Sequence, residues 1–510
     1  ATSPRVCFRD IRAFTMSETI SHDLVIRAQR AYLAERGDVV PAAVYVSGSK
    51  IVRVQELTAA EVVEIFCQSK SAGEELTWLE TTTAPRVLTL SSAHLLMPGL
   101  VDSHVHVNAP GRESWGGFDA CTRAAASGGV TTIADMPLNS EPVTTTLKAF
   151  QEKLEHARGK CYVDVGFLGG IVPGEVTTNV TDLATAGVCG FKGFLIDSGI
   201  DTFPPVGPTE VEEALQALKP FNLVHMFHAE LDGSCACTRH ESEGAAPAAA
   251  AAAAAASEDM PKYAQFLASR PASMEKDAVS LVVDACRKTK GRCHIVHLSS
   301  PDSVPVLREA RADGLPITVE TCPHYLYFSA EFVPEGDKSF KCCPPIRTAD
   351  HREGLWRALA DGEIDQVVSD HSSSTSHEKQ GDWGKAWGGI ASVGLTLPIL
   401  YSECGKRGLG VAHIARWACE APARLLNLDQ RKGRIAVGMD ADFAVFNTTL
   451  MTHVDPTKMN WKDWPSPYTG KALQGAVEMT LLRGNVIYHR GVFSSQPQGE
   501  FVSPSGTTIV

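Results

Sequence analysis

The sequence predicts an α/β protein: a TIM-type (β/α)8 barrel with a small β-sandwich built from both chain ends. Two observations predict it. Between Met97 and Leu428, apolar β-type runs alternate with helix-type stretches, and on either side the chain reads as strands and turns. With 510 residues and 44% hydrophobic composition, the chain exceeds one ordinary compact domain but suits a large barrel with a satellite.

The first part of the sandwich is expected over 20–97. DLVIRAQRAYL from Asp23 and AAVYVSGSKIVRVQEL from Ala42 are strand-like, and Gly37, Asp38 and Pro41 form a turn cluster between them. The barrel is expected over 98–434, with about eight strand runs, the number that closure requires. They are LLMPGLVDSHVHV, GVTTIADMP, YVDVGFLGG, GVCGFKGFLI, NLVHMFHAE, CHIVHLSS, ITVETCPHYL and IDQVVSDHSS. Helices are expected in the gaps, at FDACTRAAA, LKAFQEKLEHA, TEVEEALQALK, KDAVSLVVDACRKT and SVPVLREARA. An alanine-rich stretch at 244–260 has high helix propensity but no amphipathic face, and reads as a tolerated insertion in the loop after strand five. From 435 to 510, FAVFN, ALQGAVEMTLLRGNVIYHRG and the Pro-rich SPYTG supply the second part of the sandwich.

A net charge of -12 argues against nucleic acid and anionic membranes as partners and favours a small molecule. No apolar run is long enough to cross a bilayer, and the first twenty residues lack the apolar core of a secretory signal. The cytoplasm is the default compartment; a removed presequence stays open for a chain that starts at Ala1. The fourteen cysteines are scattered, several inside strand-like runs such as GVCGF, and read as reduced core thiols. Adjacent Cys342 and Cys343 form no CxxC pair and suggest no thiolate metal site.

The residues that carry chemistry fall at or near the C-terminal ends of predicted strands, where barrel enzymes place their sites. His104 and His106, two apart on strand one, point the same way and could share a metal ion. Lys192 lies between phenylalanines in CGFKGFL, where a bare ammonium would bear a large desolvation cost. Carboxylation of its amine by carbon dioxide would give a carbamate able to bridge two divalent ions. His297 ends strand six as a ligand, with His294 structural. On strand five His225 and His228 face opposite sides, so only one can contribute; His228 is favoured as nearer the C-terminal end, and His225 competes. Asp370, in QVVSDHSSS, could hold a metal and move a proton from the attacking water to the leaving nitrogen. His371 beside it points away.

The sequence resembles the amidohydrolase superfamily over nearly all its length, and within it the cyclic amidohydrolases. MPGLVDSHVHVNAPGRESWGGF, GGVTTIADMPLNS, GFKGFLIDSGIDTFP, HIVHLSS, ETCPHYLYFS, KCCPPIR and VVSDHS are most similar to the allantoinase branch. The resemblance implies a binuclear centre with one metal on His104, His106 and Asp370, the other on His228 and His297, and N6-carboxylated Lys192 between them. Zinc is the expected metal, with cobalt, manganese or iron as alternatives. It also implies allantoin as substrate, opened to allantoate by a hydroxide held between the ions, and a homotetramer. Asn139, Cys322 and Cys343 correspond to substrate-pocket loops in relatives. Dihydroorotate is disfavoured, because Val107, Asn108 and Ala109 stand where dihydroorotases carry a carboxylate-binding arginine. A dihydropyrimidinase or hydantoinase is the rival reading. A non-catalytic scaffold on the same fold is the other, opposed by the full ligand set.

Overall fold

The computed structural model describes residues 22–67, 77–79, 85–232, 262–459 and 461–504. The alanine-rich stretch at 244–260 lies outside them.

Strands one to seven of the barrel are Leu100–His106, Val130–Asp135, Asp164–Gly170, Gly190–Phe194, His225–His228, Cys293–Ile295 and Ile317–Thr321. The eighth is divided. Gln366–Val367 pairs in parallel with strand seven and His371–Ser372 with strand one, so the sheet closes on itself. Along the strands, adjacent residues bury in opposite directions. Ala134, Leu168, Met226 and Val296 share the inner core, while Ile133, Phe167, Phe191, Phe227 and Ile295 pack outward under the helices. Burial on both faces explains why these runs are apolar throughout rather than alternating.

Three expected runs are shorter than the sequence suggests. LLMPGLVDSHVHV is two strands, His94–Pro98 in the small sheet and Leu100–His106 in the barrel. Gly99 makes the crossing, and a Cβ there would lie 2.2 Å from the Thr131 hydroxyl oxygen. ITVETCPHYL leaves the sheet at Thr321, because Pro323 opens a short helix, Pro323–Tyr327. IDQVVSDHSS breaks between Val367 and His371, where Asp370 has a φ of 45°.

Helices form at all five expected positions: Phe118–Ser127, Leu147–Ala157, Pro208–Leu218, Ala272–Thr289 and Val304–Ala312. Leu147–Ala157 shows the local logic. The Thr146 hydroxyl caps it by accepting from the Ala149 N–H at 3.3 Å, and Phe150, Leu154 and Ala157 form its buried stripe. Val176–Ala186, rich in threonine and valine, was not expected as a helix.

The chain ends build one continuous ten-stranded sheet. AAVYVSGSKIVRVQEL, expected as a single strand, is a hairpin of Asp38–Ser47 and Lys50–Glu56 turning at Gly48, whose φ is 56°. Late strand Phe443–His453 pairs antiparallel with early strand His94–Pro98, which joins the two ends. Leu24, Ile26, Val44, Leu96, Phe443 and Leu481 then share a core separate from that of the barrel.

At the base of the barrel, the Lys432 ammonium lies 2.6 Å from Asp164 at the start of strand three, 2.6 Å from Asp442 and 3.0 Å from Asp440. Arg483 also pairs with Asp164. All four of these lysine-network side chains are buried, so this is a charged joint between barrel and small sheet. At the opposite end, residues 461–468 strap the mouth. Lys462 donates to the Glu113 and Gly116 carbonyls at 2.8 Å each, Ser466 donates to the Ala391 carbonyl at 2.7 Å, and Trp464 lies 5.1 Å from the His371 ring.

Removing the cation from the base leaves buried carboxylates without compensation. Lys432→Met is expected to lower the unfolding free energy by about 3–5 kcal/mol. Urea unfolding checks this, and a loss below ~1 kcal/mol would show that the joint is not structural.

Candidate metal centre at the barrel mouth

The ends of the strands bring His104, His106, Lys192, His228, His297 and Asp370 into one cleft of about 350 Å³. His104 Nε2 stands 3.1 Å from Asp370 Oδ1, and His106 Nε2 stands 3.6 Å from the same oxygen. The His104 and His106 rings are 5.5 Å apart, as expected for side chains sharing one strand face. His297 is 4.6 Å from His228 and 5.5 Å from His104, ring to ring, so it joins the two halves of the cluster. His228 stacks on Phe194 at 4.5 Å. His225 faces the outer side of strand five, buried beside Phe227 and against Gly193, and does not line the cleft.

Asn139 and Cys343 line the cleft, and Asn139 lies 3.3 Å from His106 Nδ1. Cys322 does not: the turn into Pro323–Tyr327 tucks it fully inside, close to His324 and Asp370. Cys342 lines the cleft instead, beside Cys343. The ten cysteines from Cys121 to Cys419 whose side chains are described are free.

The arrangement of the first half fits a cation. His104 Nδ1 lies 2.5 Å from Glu320 Oε1, which makes Nδ1 the protonated nitrogen and turns the Nε2 lone pair to the cleft. That nitrogen makes no hydrogen bond, yet faces a carboxylate oxygen at 3.1 Å. A lone pair and an anion at this distance repel unless a positive charge lies between them. On the other side, His228 Nε2 is 2.7 Å from Glu230 Oε2, which puts the proton on Nε2 and leaves the lone pair on Nδ1. His297 Nδ1 is buried without a hydrogen-bond partner.

Lys192 stands apart from the other fully buried lysines. Lys153 pairs with Asp135 at 2.7 Å and Lys432 with its aspartates, but no carboxylate among the described residues lies within ion-pair distance of Lys192. Its Nζ lies 5.0 Å from the Phe194 ring centroid, and burial pushes its ammonium down to about 8. A neutral amine is therefore accessible near physiological pH.

The supporting groups went unassigned in the sequence. Glu320 accepts from His104, from His294 Nε2 at 2.9 Å and from Gln366 at 3.0 Å, tying strands one, six, seven and eight together. Burial would raise the Glu320 carboxyl, but the histidine contacts outweigh it and hold it low. Glu230 is likewise held down to about 2, since Arg270 at 2.5 Å and His228 overcome its burial. Burial also opposes ionisation of Asp370, and His104 and His106 hold it at about 2. Asp102 accepts from the His104 and Ser369 backbone N–H groups, fixing strand one against the break in strand eight. A carboxylate inside the apolar run ITVETC signals Glu320 by the same reasoning that singles out Lys192. Arg270 carries no comparable local signal.

Three non-glycine cleft residues have left-handed backbones: Asn139 at φ 68°, His297 at 42° and Asp370 at 45°. Such conformations cost about 1–3 kcal/mol each and persist where the surrounding structure imposes them. Here Leu298 donates to the Glu320 carbonyl at 2.8 Å just after His297, and His371 N–H donates to Ser369 Oγ at 3.1 Å across Asp370.

The Amidohydrolase family matches residues 95–487. An allantoinase of Saccharomyces cerevisiae is 44% identical over 421 residues, covering 81% of this chain and 86% of the relative. An allantoinase of Streptomyces avermitilis is 44% identical, covering 80% and 87%. Among solved structures, the L-hydantoinase (dihydropyrimidinase) of Arthrobacter aurescens superposes with a TM-score of 0.81 at 27% identity, covering 94% of this chain and 100% of that one.

Glu230 makes acid stability testable. Its folded-state carboxyl lies at about 2 against a usual 4.5, so its stabilisation is complete above 4.5 and is lost as pH falls toward 2. Glu230→Gln is expected to cost ~3 kcal/mol at pH 7, with the gap to wild type closing on acidification. Unfolding free energies from pH 7 to pH 3 measure this, and a gap independent of pH would contradict the pairing.

Proposed function

We propose, for a chain that belongs to the amidohydrolase family, that it hydrolyses the cyclic amide bond of allantoin's hydantoin ring to give allantoate. The observation that carries the reading is His104 Nε2 turned on Asp370 without a hydrogen bond, inside a cluster of histidines at a barrel mouth. The residues suit two divalent ions, one held by His104, His106 and Asp370 and the other by His228 and His297, with N6-carboxylated Lys192 between them. Zinc is our first choice of metal, with cobalt, manganese or iron as alternatives. When bound, the ions supply Lewis acidity to the ring carbonyl and lower the pKa of water.

The chain's own residues do the rest. Glu320 and Glu230 hold the His104 and His228 tautomers, so that Nε2 of one and Nδ1 of the other face the cleft. The uncompensated, easily deprotonated Lys192 amine suits carbamate formation: the amine nitrogen bonds carbon dioxide and releases one proton. Asp370, held as a carboxylate, takes the proton of the attacking water and passes it to the leaving ring nitrogen. Asn139 and Cys343 bound the substrate on the cleft wall.

We assign the reaction to the barrel segment 98–434, with 20–97 and 435–510 as its supporting sandwich, and propose a homotetramer. No described helix is long and apolar enough to cross a membrane. The cytoplasm is the proposed compartment; a relative in Aquarana catesbeiana is a mitochondrial allantoinase, so a presequence is the alternative. The hydantoinase likeness favours one rival, opening of a simpler cyclic ureide.

Purified protein is expected to open allantoin with about two metal ions per chain and to lose activity on chelation. Intact allantoin alongside opened dihydrouracil or hydantoin would reject the substrate. Lys192→Ala is expected to lose metal and more than ~100-fold in turnover, with partial rescue by a short carboxylic acid. Full activity without rescue would reject the bridge.

A further inference from the structure

The outer wall of the cleft is an irregular loop whose residues Gly384, Ala386, Trp387, Gly388 and Gly389 face the cavity. Backbone carbonyls with no helix or sheet partner must find donors elsewhere. Here two lysines supply them. Lys379 Nζ donates to the Trp387 carbonyl at 2.9 Å and the Gly389 carbonyl at 2.6 Å. Lys341 Nζ donates to the Gly384 carbonyl at 3.0 Å and the Ala386 carbonyl at 2.5 Å. The two are linked, because the Gly389 N–H donates back to the Lys341 carbonyl at 2.8 Å.

Lys341 is 6% exposed and Lys379 8%, and neither has a carboxylate within ion-pair distance among the described residues. Two buried cations close together are costly, burial pushes both downward and Lys379 to about 7, and what compensates them is the carbonyl dipoles and, for Lys341, the Phe266 ring 5.5 Å from Nζ. An apolar residue could fill either space without that cost, but it could not hold alternate carbonyls in place. The wall so fixed carries Trp387, whose ring meets Trp115 at 4.8 Å, with the Arg112 guanidinium over Trp115 at 4.8 Å. Lys341 lines the same cleft as the histidines, but among the described residues neither lysine forms a hydrogen bond or ion pair with them.

We propose that Lys341 and Lys379 are positioning residues for substrate binding: their Nζ donors hold the 384–389 wall in the shape that receives the polar, uncharged arm of a ring-substituted cyclic ureide. The inference rests on the hydrolase reading above. It separates recognition from chemistry, since the hydrogen bonds that hold the wall run to backbone carbonyls and not to the proposed metal ligands.

The test uses full-length, metal-loaded protein carrying Lys379→Met, Lys379→Gln or Lys341→Met. Metal content, kcat and KM are measured with allantoin, together with inhibition by unsubstituted hydantoin. In the Met variants KM is expected to rise ~10-fold or more, with kcat within about threefold and metal content as in wild type. Lys379→Gln, which restores one donor, is expected to fall between wild type and Lys379→Met. Hydantoin, which has no arm, is expected to lose less affinity than allantoin. If Lys379→Met does not fold, Lys341→Met carries the same KM test. Unchanged KM in the folded variants, or a fall in kcat that parallels metal loss, would overturn the proposal. If wild type opens another ureide but not allantoin, the substrate reading fails by itself, and the KM split is read on the ureide it opens.

Discussion

Closure of the barrel depends on a strand that cannot be continuous. Strand eight must pair with strand seven on one side and strand one on the other, and it does so through Gln366–Val367 and His371–Ser372 in turn. The residues between change direction, and Asp370 takes the left-handed conformation at that change. The same break that lets the sheet close therefore turns a carboxylate out of the wall and over His104 and His106. Asp102 holds both sides, accepting from His104 and Ser369 N–H groups. Fold and site share one constraint.

Buried charge follows a consistent rule elsewhere in the molecule. Lys153 has Asp135, Lys432 has three aspartates, and Arg347 has Glu275 at 2.7 Å. The carboxylates of Asp164, Asp440 and Asp442 converge as closely as metal ligands do, but on the Lys432 ammonium. Lys192 departs from the rule by having no such partner, and Lys341 and Lys379 depart by using backbone carbonyls. All three exceptions line or bound the cleft. Uncompensated charge marks working parts here better than the mere presence of charge does.

Much of this was legible in the sequence, for identifiable reasons. Buried parallel strands need apolar runs, so all eight could be read, and His104, His106, Lys192, His297 and Asp370 stood out by being polar at their ends. Where each strand stops was less legible, because Gly99, Pro323 and the break at Asp370 act through tertiary fit rather than composition. On strand five the period-two rule separates His225 from His228 but does not say which face looks inward; the register of Phe194 with His228 does. Glu320 is legible as a carboxylate inside the apolar run ITVETC, whereas Glu230 and Arg270 are not, because their significance lies in the partner each meets in the folded barrel. Cys322 and Cys343 looked alike in sequence, and only the short helix after strand seven distinguishes the buried one from the lining one.

The pairing of His94–Pro98 with Phe443–His453 has a consequence in time. A ribosome making ~5–20 residues per second needs roughly 20–70 s to pass from one partner to the other. For that interval an apolar early strand waits with an open edge, the kind of edge that invites pairing with other chains. The strap at 461–468 emerges later still, so the mouth of the barrel is completed only after all the barrel strands have been made. Native assembly of this enzyme thus waits on its late strands, and its yield should respond to whatever shelters the nascent early strands until their partners arrive.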